Sequence, residues 1–273
     1  MKLPPTWASS QRAGRLITRM PFGVRSRLGL KPFASPGERV YAIGDIHGCF
    51  DLLQRLLLEI EADHMERSRL PARLIVLGDF IDRGTQSAQV LTWLRSIQEN
   101  SDRLIVLMGN HESALLDCIE GDEAMQQEWL QFGGRETLQS FGLTPPRARE
   151  SAKAFGKRVA GALGAKNLDW LRNLPLSTSS GDYFFCHAGI RPYIPLHRQD
   201  PEDLLCIREE FLQSDANHGA VVVHGHSVVA DCVQFRNNRI GVDTGAYLTG
   251  KLSAVGLEGS LRWLVTVNDA SSS

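Results

Sequence analysis

Acidic, imidazole and amide side chains recur in short glycine-flanked motifs along this sequence. Three motifs lie in the first half, GDIHG at 44–48, GDFIDRG at 78–84 and GNHE at 109–112. Two histidine motifs follow in the second half, CHAG at 186–189 and HGH at 224–226. The side chains in them that could bind a metal are Asp45, His47, Asp79, Asn110, His111, His187, His224 and His226. Together these ligand types suit borderline transition metals such as Mn, Fe, Zn or Co better than Ca²⁺.

Each of these residues, taken alone, has an ordinary structural explanation. A single aspartate after a strand usually caps a helix or forms a turn, and a single histidine is usually a hydrogen-bonded core residue. Coincidence becomes the weaker explanation when five predicted strand ends each carry such a group beside glycine. Glycine allows the sharp turns and close backbone approach that such a site needs.

An apolar run precedes each of the first three motifs, and a helical pattern of leucines follows the first two. The predicted strands are 39–44, 73–78 and 103–109, and the predicted helices are 49–64, 87–100 and one that starts near Ser113. Strands and helices that alternate at this spacing indicate βαβ units and a parallel sheet. In such sheets ligands bind outside the carboxyl ends of the strands, where the motifs lie.

The second half of the sequence has a different pattern. Residues 121–175 are rich in tryptophan, charge and helix formers, which predicts a helical insertion. From Asp182 onward short β-rich runs dominate, and RNNR at 236–239 indicates a hairpin. A parallel half followed by an antiparallel half predicts an α/β fold in which two packed mixed sheets are flanked by helices.

Composition indicates an ordinary globular protein. The 273 residues are 42% hydrophobic and 22% charged, and no apolar run approaches the ~20 residues of a membrane span. The first residues lack an apolar segment followed by a small-residue cleavage site, so we do not expect a secretory signal. Five cysteines without CxxC spacing indicate reduced thiols. The predicted localisation is cytoplasmic.

The charge is distributed unevenly. Residues 1–37 hold seven basic residues and no acid, a charge of +7. Because the net charge of the whole sequence is −1, the remaining residues carry a charge of −8. We predict a basic, flexible N-terminal arm at 1–37 and a folded domain at 38–270. The arm could bind a membrane surface, nucleic acid or the domain itself, although a solvated terminus is the simpler expectation. The acidic domain argues against dedicated nucleic-acid binding.

Taken in order, GDIHG, GDFIDRG, GNHE, HAG and GH resemble the signature of the phosphoprotein phosphatase family of binuclear metallophosphoesterases. The resemblance spans residues 45–247. HAGIRP at 187–192 and DLLCIREEF at 203–211 are most similar to the bacterial and phage-like serine/threonine phosphatase branch. The resemblance implies the four-layer α-β-β-α metallophosphoesterase fold, with 121–175 as a helical cap over the metals.

The resemblance also implies two divalent metal ions, with manganese expected and iron, zinc or cobalt as alternatives. The first ion would be bound by Asp45, His47 and Asp79. Asp79 would bridge to a second ion bound by Asn110, His187 and His226. A hydroxide that bridges the two ions would attack phosphorus directly, without a phosphoenzyme.

Further roles are carried over in the same way. His111 would be the general acid that protonates the leaving oxygen, and Asp82 would orient its imidazole. Arg83 would bind the phosphoryl oxygens. Arg208 would add a second phosphate contact, or would be only an exposed helix charge. Glu112 is expected to support the metal ligands or the start of its helix.

The HGH motif contains two histidines, to which the resemblance gives different roles. His226 directly follows a glycine and precedes a small polar residue, as the family ligand does, whereas His224 would line the substrate pocket or lie in the core. Met108 stands where many eukaryotic relatives have an arginine, so one phosphate-binding charge of those enzymes is missing.

The expected function is therefore hydrolysis of phosphate monoesters, with a protein serine/threonine phosphatase as the main hypothesis. A symmetrical diadenosine tetraphosphate hydrolase and a small-molecule phosphomonoesterase are the alternatives. The expected partner is a phosphorylated protein or a small phosphoester. A metal-binding regulatory protein without catalysis is disfavoured, because His111, Asp82 and every expected metal ligand are present.

Overall fold

Two five-stranded β-sheets carry the described part of the chain, which comprises residues 31–67, 69–229 and 233–269 of a computed structural model. The strands are β1 (Arg39–Ile43), β2 (Ala72–Val76), β3 (Leu104–Val106), β4 (Ser177–Ser180), β5 (Tyr183–Cys186), β6 (Val221–His224), β7 (Gln234–Phe235), β8 (Arg239–Gly241), β9 (Lys251–Glu258) and β10 (Leu261–Asn268). Their order is β10-β9-β1-β2-β3 in the first sheet and β4-β5-β6-β8-β7 in the second.

Helices surround the sheets. They are α1 (Phe50–Glu66), α2 (Ser87–Gln98), α3 (Asn110–Glu120), α4 (Glu123–Trp129), α5 (Arg135–Ser140), α6 (Ala152–Leu163), α7 (Ala165–Arg172), α8 (Pro201–Cys206), α9 (Glu209–Leu212) and α10 (Ala246–Thr249). The side chains that α1 buries, such as Leu53, Leu56 and Ile60, follow the predicted helical spacing. None of the helices in the described ranges has the length and apolar character that a membrane crossing requires.

The described part of the chain forms four layers, in the order helices, sheet, sheet, helices, and three groups of buried side chains pack between them. One group packs the inner faces of the two sheets against each other and includes Ala42, Ile75, Val223 and Ile240. A second group packs α1 to α7 on the outer face of the first sheet. A third packs α8 and α9 on the second sheet, around Phe211. The predicted fold class, two packed mixed sheets between helices, is confirmed.

The parallel strands bring the motifs to one edge. β1 and β2 pair in parallel with Ile43 opposite Val76, and β2 and β3 pair in parallel with Val76 opposite Val106. The residues that follow these strands therefore emerge side by side. In the second sheet β5, β6 and β8 are also parallel, so the loops after them leave in a common direction.

The strand pairing of the second half differs from the expectation. The centre of the second sheet is parallel instead of antiparallel, and β9 and β10 join the first sheet, where β9 runs antiparallel to β1. Residue patterns identify strands but not their partners, since pairing is decided by packing over long sequence separations. The hairpin at RNNR is confirmed by antiparallel β7 and β8.

Helix α3 begins at Asn110, three residues earlier than predicted. The carboxylate of Glu112 accepts the backbone N–H of Gly109 at 2.9 Å and so satisfies an amide at the start of the helix. Asn110 and His111 consequently lie in its first turn, with fixed backbone positions.

Residues 121–175 are mainly helical, with α4 to α7 separated by a π-helical segment at Leu130–Gly134 and an irregular stretch around 141–151. Asp122 and Ser151 cap α4 and α6 through their side chains. Gly133 has φ of +115°, a left-handed conformation that breaks the helical run between α4 and α5.

Packing against the sheets begins before residue 38, the predicted domain boundary. Ala34 is fully buried, and its N–H donates to the carbonyl of Gly259 at 2.8 Å. The N–H of Phe33 donates to Asp182 Oδ2 at 2.8 Å. These backbone hydrogen bonds make residues 33–35 part of the folded body, while residues 1–30 of the predicted arm lie outside the described residues.

Candidate metal and phosphoester site

The predicted ligands meet on loops with unusual backbone conformation. Seven described residues other than glycine have positive φ, and five of them are predicted site residues: His47, Asp79, Asp82, Arg83 and His226. Such conformations cost of order 1–3 kcal/mol each and persist only where the surrounding structure imposes them. The backbone N–H groups of Ile46 and His47 donate to the carbonyl of Asp79 at 3.1 and 2.9 Å, which ties the first two loops together.

Asp79 lies at the centre of two groups of donor atoms. Its Oδ2 is 3.7 Å from His47 Nε2 and 3.4 Å from His187 Nε2. On the far side, His187 Nε2 lies 2.8 Å from Asn110 Oδ1 and 3.2 Å from His226 Nδ1. The two groups of possible ligands, His47–Asp79–His111 and Asp79–His187–His226, share Asp79. One carboxylate between two imidazole clusters is the arrangement that a bridging ligand requires.

The orientation of the imidazoles fits metal binding. His47 Nδ1 and His187 Nδ1 each face a backbone carbonyl at 2.9 Å, Ile81 and Leu77 respectively. With Nδ1 bonded to these carbonyls, Nε2 of each ring faces Asp79 and is the nitrogen left for a metal, as in metal-ligating histidines. Burial lowers the pKa of His47 to about 3, and burial and His187 lower that of His226 to about 2. Both are neutral at pH 7, the form that binds metals.

The carboxylates nearby also fit a cationic centre. Asp45 accepts the backbone N–H of His226 at 3.0 Å, and burial and Asp243 raise its pKa. Burial alone would raise the pKa of Asp79, but His187 and His111 hold it well below its usual range. Buried carboxylates crowded in this way are costly unless positive charge compensates them. The donor set therefore fits two divalent metal ions, and the identity of the metals stays a prediction.

Asp243 is a further buried acid whose charge acts on Asp45, and the sequence reasoning missed it. It is buried, and its Oδ1 accepts the N–H of Gly245 at 2.8 Å. The missed signal was present in the sequence, because Asp243 follows β8 and precedes a glycine by two positions. The pattern is weaker than for Asp45 and Asp79, which directly follow a glycine.

His111 and Asp82 form a buried pair. His111 Nδ1 lies 2.7 Å from Asp82 Oδ2, and Asp82 also accepts the indole N–H of Trp129 at 2.9 Å and the hydroxyl of Thr137 at 2.6 Å. Burial would lower the pKa of His111, but Asp79 and Asp82 outweigh it and raise the pKa to about 9. Asp82 thus fixes the ring and favours its protonated form.

Trp129 and Thr137 were also missed, and they come from α4 and α5 of the helical insertion. No motif marks them, although both lie within residues 121–175, which were predicted to form a helical cap. Their hydrogen bonds to Asp82 make the insertion part of the site rather than an independent domain.

Arg83 lies between the insertion and the C-terminal half. Its Nη2 is 3.2 Å from His111 Nε2, and its guanidinium lies 4.5 Å over the ring of Tyr247. The N–H of Arg83 donates to the carbonyl of Gly133 at 3.1 Å, and its Nε donates to that of Phe132 at 3.4 Å. Arg83 and His111 therefore adjoin each other, and a phosphoryl oxygen beside them would accept from the guanidinium and from a protonated Nε2.

Glu112 supports the metal ligands and the start of α3, as expected from the sequence. Its carboxylate accepts the backbone N–H groups of Asp79 and Phe80 at 2.9 and 3.0 Å, in addition to that of Gly109. It thereby locks the loop after β2 to the first turn of α3. Burial and Asp79 raise its pKa to about 8.

The remaining two predicted residues lie in different surroundings. His224 is 2% exposed, its ring packs 5.0 Å from that of Phe211, and burial lowers its pKa to about 4. This position favours a core histidine over a pocket residue. Arg208 is exposed at the start of α9 and lines a cleft together with Asn110 and His111.

Two clefts adjoin the site and share Arg83. The α3–α4 cleft has a volume of about 450 Å³, and its lining includes Asn110, His111, Met125, Phe132, Leu205 and Arg208. The α1–α10 cleft has a volume of about 500 Å³, and its lining includes Cys49, Arg55, Gln86, Tyr247, Leu248 and Asp269. Arg83 thus separates two spaces, of which only the first contains His111 and Asn110.

Comparison with known proteins supports the resemblance at the level of the family. Residues 38–253 match the calcineurin-like phosphoesterase family. The chain is 35% identical over 154 residues to the symmetrical bis(5'-nucleosyl)-tetraphosphatase of Dechloromonas aromatica, and 33% identical over 152 residues to that of Vibrio cholerae. These matches cover 56% of this chain and 44% and 45% of the relatives, so the chain matches less than half of their length.

Solved structures share the fold. A protein provisionally assigned as a diadenosine tetraphosphatase aligns over 86% of this chain and 98% of its own, with a TM-score of 0.58 and 20% identity. A cold-active protein-tyrosine phosphatase from a Shewanella species aligns over 85% and 83%, with a TM-score of 0.52 and 17% identity. At these identities the likeness concerns the fold alone. The bacterial and phage-like serine/threonine branch stays a prediction.

Proposed function

Because the chain belongs to the calcineurin-like phosphoesterase family, we propose that it is a metal-dependent phosphoric ester hydrolase whose substrate is a dinucleoside polyphosphate, cleaved symmetrically. This replaces the protein serine/threonine phosphatase as the main hypothesis. The sequence relatives named above are symmetrical tetraphosphatases, and the present chain matches only part of each. The proposal therefore rests on the site as well as on the relatives.

The observation that carries it is the pair of clefts on either side of Arg83. A dinucleoside polyphosphate has two nucleosides joined by a phosphate chain, so it needs two recesses with a cationic centre between them. The clefts of about 450 and 500 Å³ are similar in size, and Arg83 lines both. A phosphate monoester has one organic group and leaves the second recess without a purpose.

The residues of the chain divide the chemistry among them. Arg83 and protonated His111 bind the oxygens of the attacked phosphate, and Arg208 adds positive charge at the cleft edge. His111 gives its Nε2 proton to the oxygen that leaves, while Asp82 holds the ring through Nδ1 and stabilises its positive charge. Glu112 keeps Asp79 and α3 in register during this transfer.

The proposed metal ligands are Asp45, His47, Asp79, Asn110, His187 and His226. These residues would hold two divalent ions, which we predict to be manganese. The ions would supply an activated water and neutralise the charge that develops on the phosphate oxygens. The helices of 121–175 act in this proposal as a cap whose Trp129 and Thr137 position Asp82. The cytoplasm is the predicted compartment.

A substrate panel with Mn²⁺ tests the proposal. Diadenosine tetraphosphate, phosphoserine, phosphothreonine and phosphotyrosine peptides and p-nitrophenyl phosphate are compared by kcat/KM. We expect the highest value for diadenosine tetraphosphate and ADP as its only nucleotide product, since asymmetric cleavage would give ATP and AMP. His111→Asn, purified in parallel, controls for contaminating hydrolases. A phosphopeptide with a higher kcat/KM would contradict the proposed substrate and restore the protein phosphatase hypothesis.

A further inference from the structure

We propose that the two clefts have fixed roles: the leaving nucleotide occupies the α3–α4 cleft with its base against Phe132, and the nucleotide that is attacked by water occupies the α1–α10 cleft. This assignment rests on the proposed function. It identifies Phe132 as a residue that determines which end of an unsymmetrical substrate leaves.

The position of the general acid defines the leaving side. A general acid must lie within hydrogen-bond reach of the oxygen that it protonates. His111 lines the α3–α4 cleft, together with its neighbour Asn110, and is not among the residues that line the α1–α10 cleft. The bridging oxygen that leaves must therefore face the α3–α4 cleft, and the group attached to it must lie there.

The lining of the α3–α4 cleft suits a nucleoside. Met125, Leu205 and Phe132 give it an apolar wall, and the Phe132 side chain is 54% exposed although it is a large apolar residue. An exposed aromatic ring beside a phosphate site provides a stacking surface for a base. The cleft also contains the carboxylates of Asp117, Glu128 and Glu202, which can accept hydrogen bonds from ribose hydroxyls and base amino groups.

The α1–α10 cleft has a different composition that suits the retained nucleotide. Tyr247 and Leu248 form its apolar part, and Leu248 is 70% exposed. Tyr247 contacts both Arg83 and His47, so this cleft adjoins the metal ligands on the side of His47. The nucleotide there remains bonded to the phosphorus that water attacks.

The bond changes are consistent with this placement. The oxygen of water forms a bond to the attacked phosphorus, and the bond from that phosphorus to the bridging oxygen breaks. The bridging oxygen keeps the electron pair and takes the proton of His111 Nε2. The proton that water loses restores His111 through solvent, so one water is consumed and two nucleotides are released.

Hydrolysis in H₂¹⁸O distinguishes the two sides. The substrate is a tetraphosphate with adenosine at one end and uridine at the other, and only the nucleotide that is attacked acquires ¹⁸O. A purine stacks more strongly than a pyrimidine, so we expect adenosine to favour the Phe132 side and the label to favour UDP over ADP by roughly threefold or more. Phe132→Ala should bring the two labels toward equality, because it removes the ring and keeps the carbonyl that Arg83 contacts.

Leu248→Ala is the matched variant in the other cleft. It should leave the label in UDP or increase that preference, because it weakens base binding only on the retained side. An equal partition in the wild-type protein, or the same change in both variants, would overturn the assignment.

A second measurement does not depend on dinucleotide hydrolysis. In 1-naphthyl phosphate the aromatic group is the leaving group, so the assignment places it in the α3–α4 cleft. Phe132→Ala should raise its KM by roughly fivefold or more, the effect of losing one stacking contact. Leu58→Ala, which truncates an exposed leucine of α1 outside both clefts, is the control and should not change KM.

The two measurements separate the two proposals. If the dinucleotide is not hydrolysed while Phe132→Ala still raises the KM for 1-naphthyl phosphate, the proposed function is wrong and the cleft assignment stands. If the dinucleotide is hydrolysed while Phe132→Ala changes neither the label nor the KM, the cleft assignment is wrong and the function stands.

Discussion

Asp82→Asn tests whether the charge of Asp82 keeps His111 protonated as the general acid. Asparagine has the same shape, and its amide can still meet the donors around it. With its oxygen in the place of Oδ2 it accepts from His111 and Trp129, and its NH₂ group faces the hydroxyl of Thr137. The substitution therefore removes mainly the negative charge.

The magnitude follows from the pKa of His111. Its rise from 6.5 to about 9 amounts to about 3.4 kcal/mol at 1.36 kcal/mol per pKa unit. Burial opposes this rise, and Asp79 and Asp82 produce it together. Loss of one adjacent opposite charge changes a pKa by roughly 1 to 3. We therefore expect the pKa of His111 to fall by about 1 to 2 in Asp82→Asn.

The sign of the pH effect follows from the role of the acid. His111 must be protonated, so activity is lost as pH rises through its pKa, and a lower pKa moves this alkaline limb to lower pH. The assay is the pH profile of kcat for 1-naphthyl phosphate and for p-nitrophenyl phosphate, with Mn²⁺ saturating. The midpoint should fall by about 1 to 2 relative to the wild type. Above both midpoints kcat should fall roughly 10- to 100-fold for 1-naphthyl phosphate, whose phenol-type leaving oxygen needs a proton, and much less for p-nitrophenyl phosphate, whose leaving group needs little protonation.

Asp169→Asn is the matched control. It removes the same charge from an exposed position on α7 and should leave the limb in place. Thermal denaturation and metal content of both variants show whether the fold and the metals are retained. An unmoved alkaline limb in folded, metal-loaded Asp82→Asn, with equal loss for both substrates, would refute the assignment of His111 as the acid oriented by Asp82.

Three further predictions concern the metal centre, the cap and the N-terminal boundary. Asp79→Asn should lower the bound metal measured by elemental analysis and abolish hydrolysis, and retention of both metals with full activity would exclude a bridging role. Gly133→Ala should lower kcat/KM at least about tenfold, because φ is +115° and a Cβ would lie 2.5 Å from the Arg83 backbone nitrogen. Gly161→Ala, with open space around it in α6, should instead retain activity and gain up to about 1 kcal/mol of stability. Removal of residues 1–37 should lower Tm by about 4 °C or more beyond removal of residues 1–30, since it also deletes the hydrogen bonds of residues 33–35, each worth about 1 kcal/mol. Equal Tm values would show that this segment adds no stability.

The sequence alone was sufficient for the three parallel strands of the first sheet and for the grouping of the candidate ligands at their ends. β1, β2 and β3 follow from short β-branched runs between helical leucine patterns, and parallel strands necessarily present their carboxyl ends at one edge. Asp79 lies between two imidazole clusters, in agreement with its predicted position at the end of a parallel strand. These features depend on periodicity and on residues close to each strand, which a sequence displays directly.

Tertiary structure decided the partners that come from far along the chain. The pairing of β9 with β1 and the hydrogen bonds from Trp129 and Thr137 to Asp82 join residues about 50 to 220 positions apart, and no local pattern encodes such contacts. Asp82 and Arg83 look alike in sequence as charges in one turn. Asp82 is buried under α4 and α5, whereas Arg83 lies at the boundary between two clefts. These different surroundings arise only when the helices of the insertion pack on the strand ends. Burial and distance, which fix the protonation of His111 and the division of the substrate site, are properties of that packing.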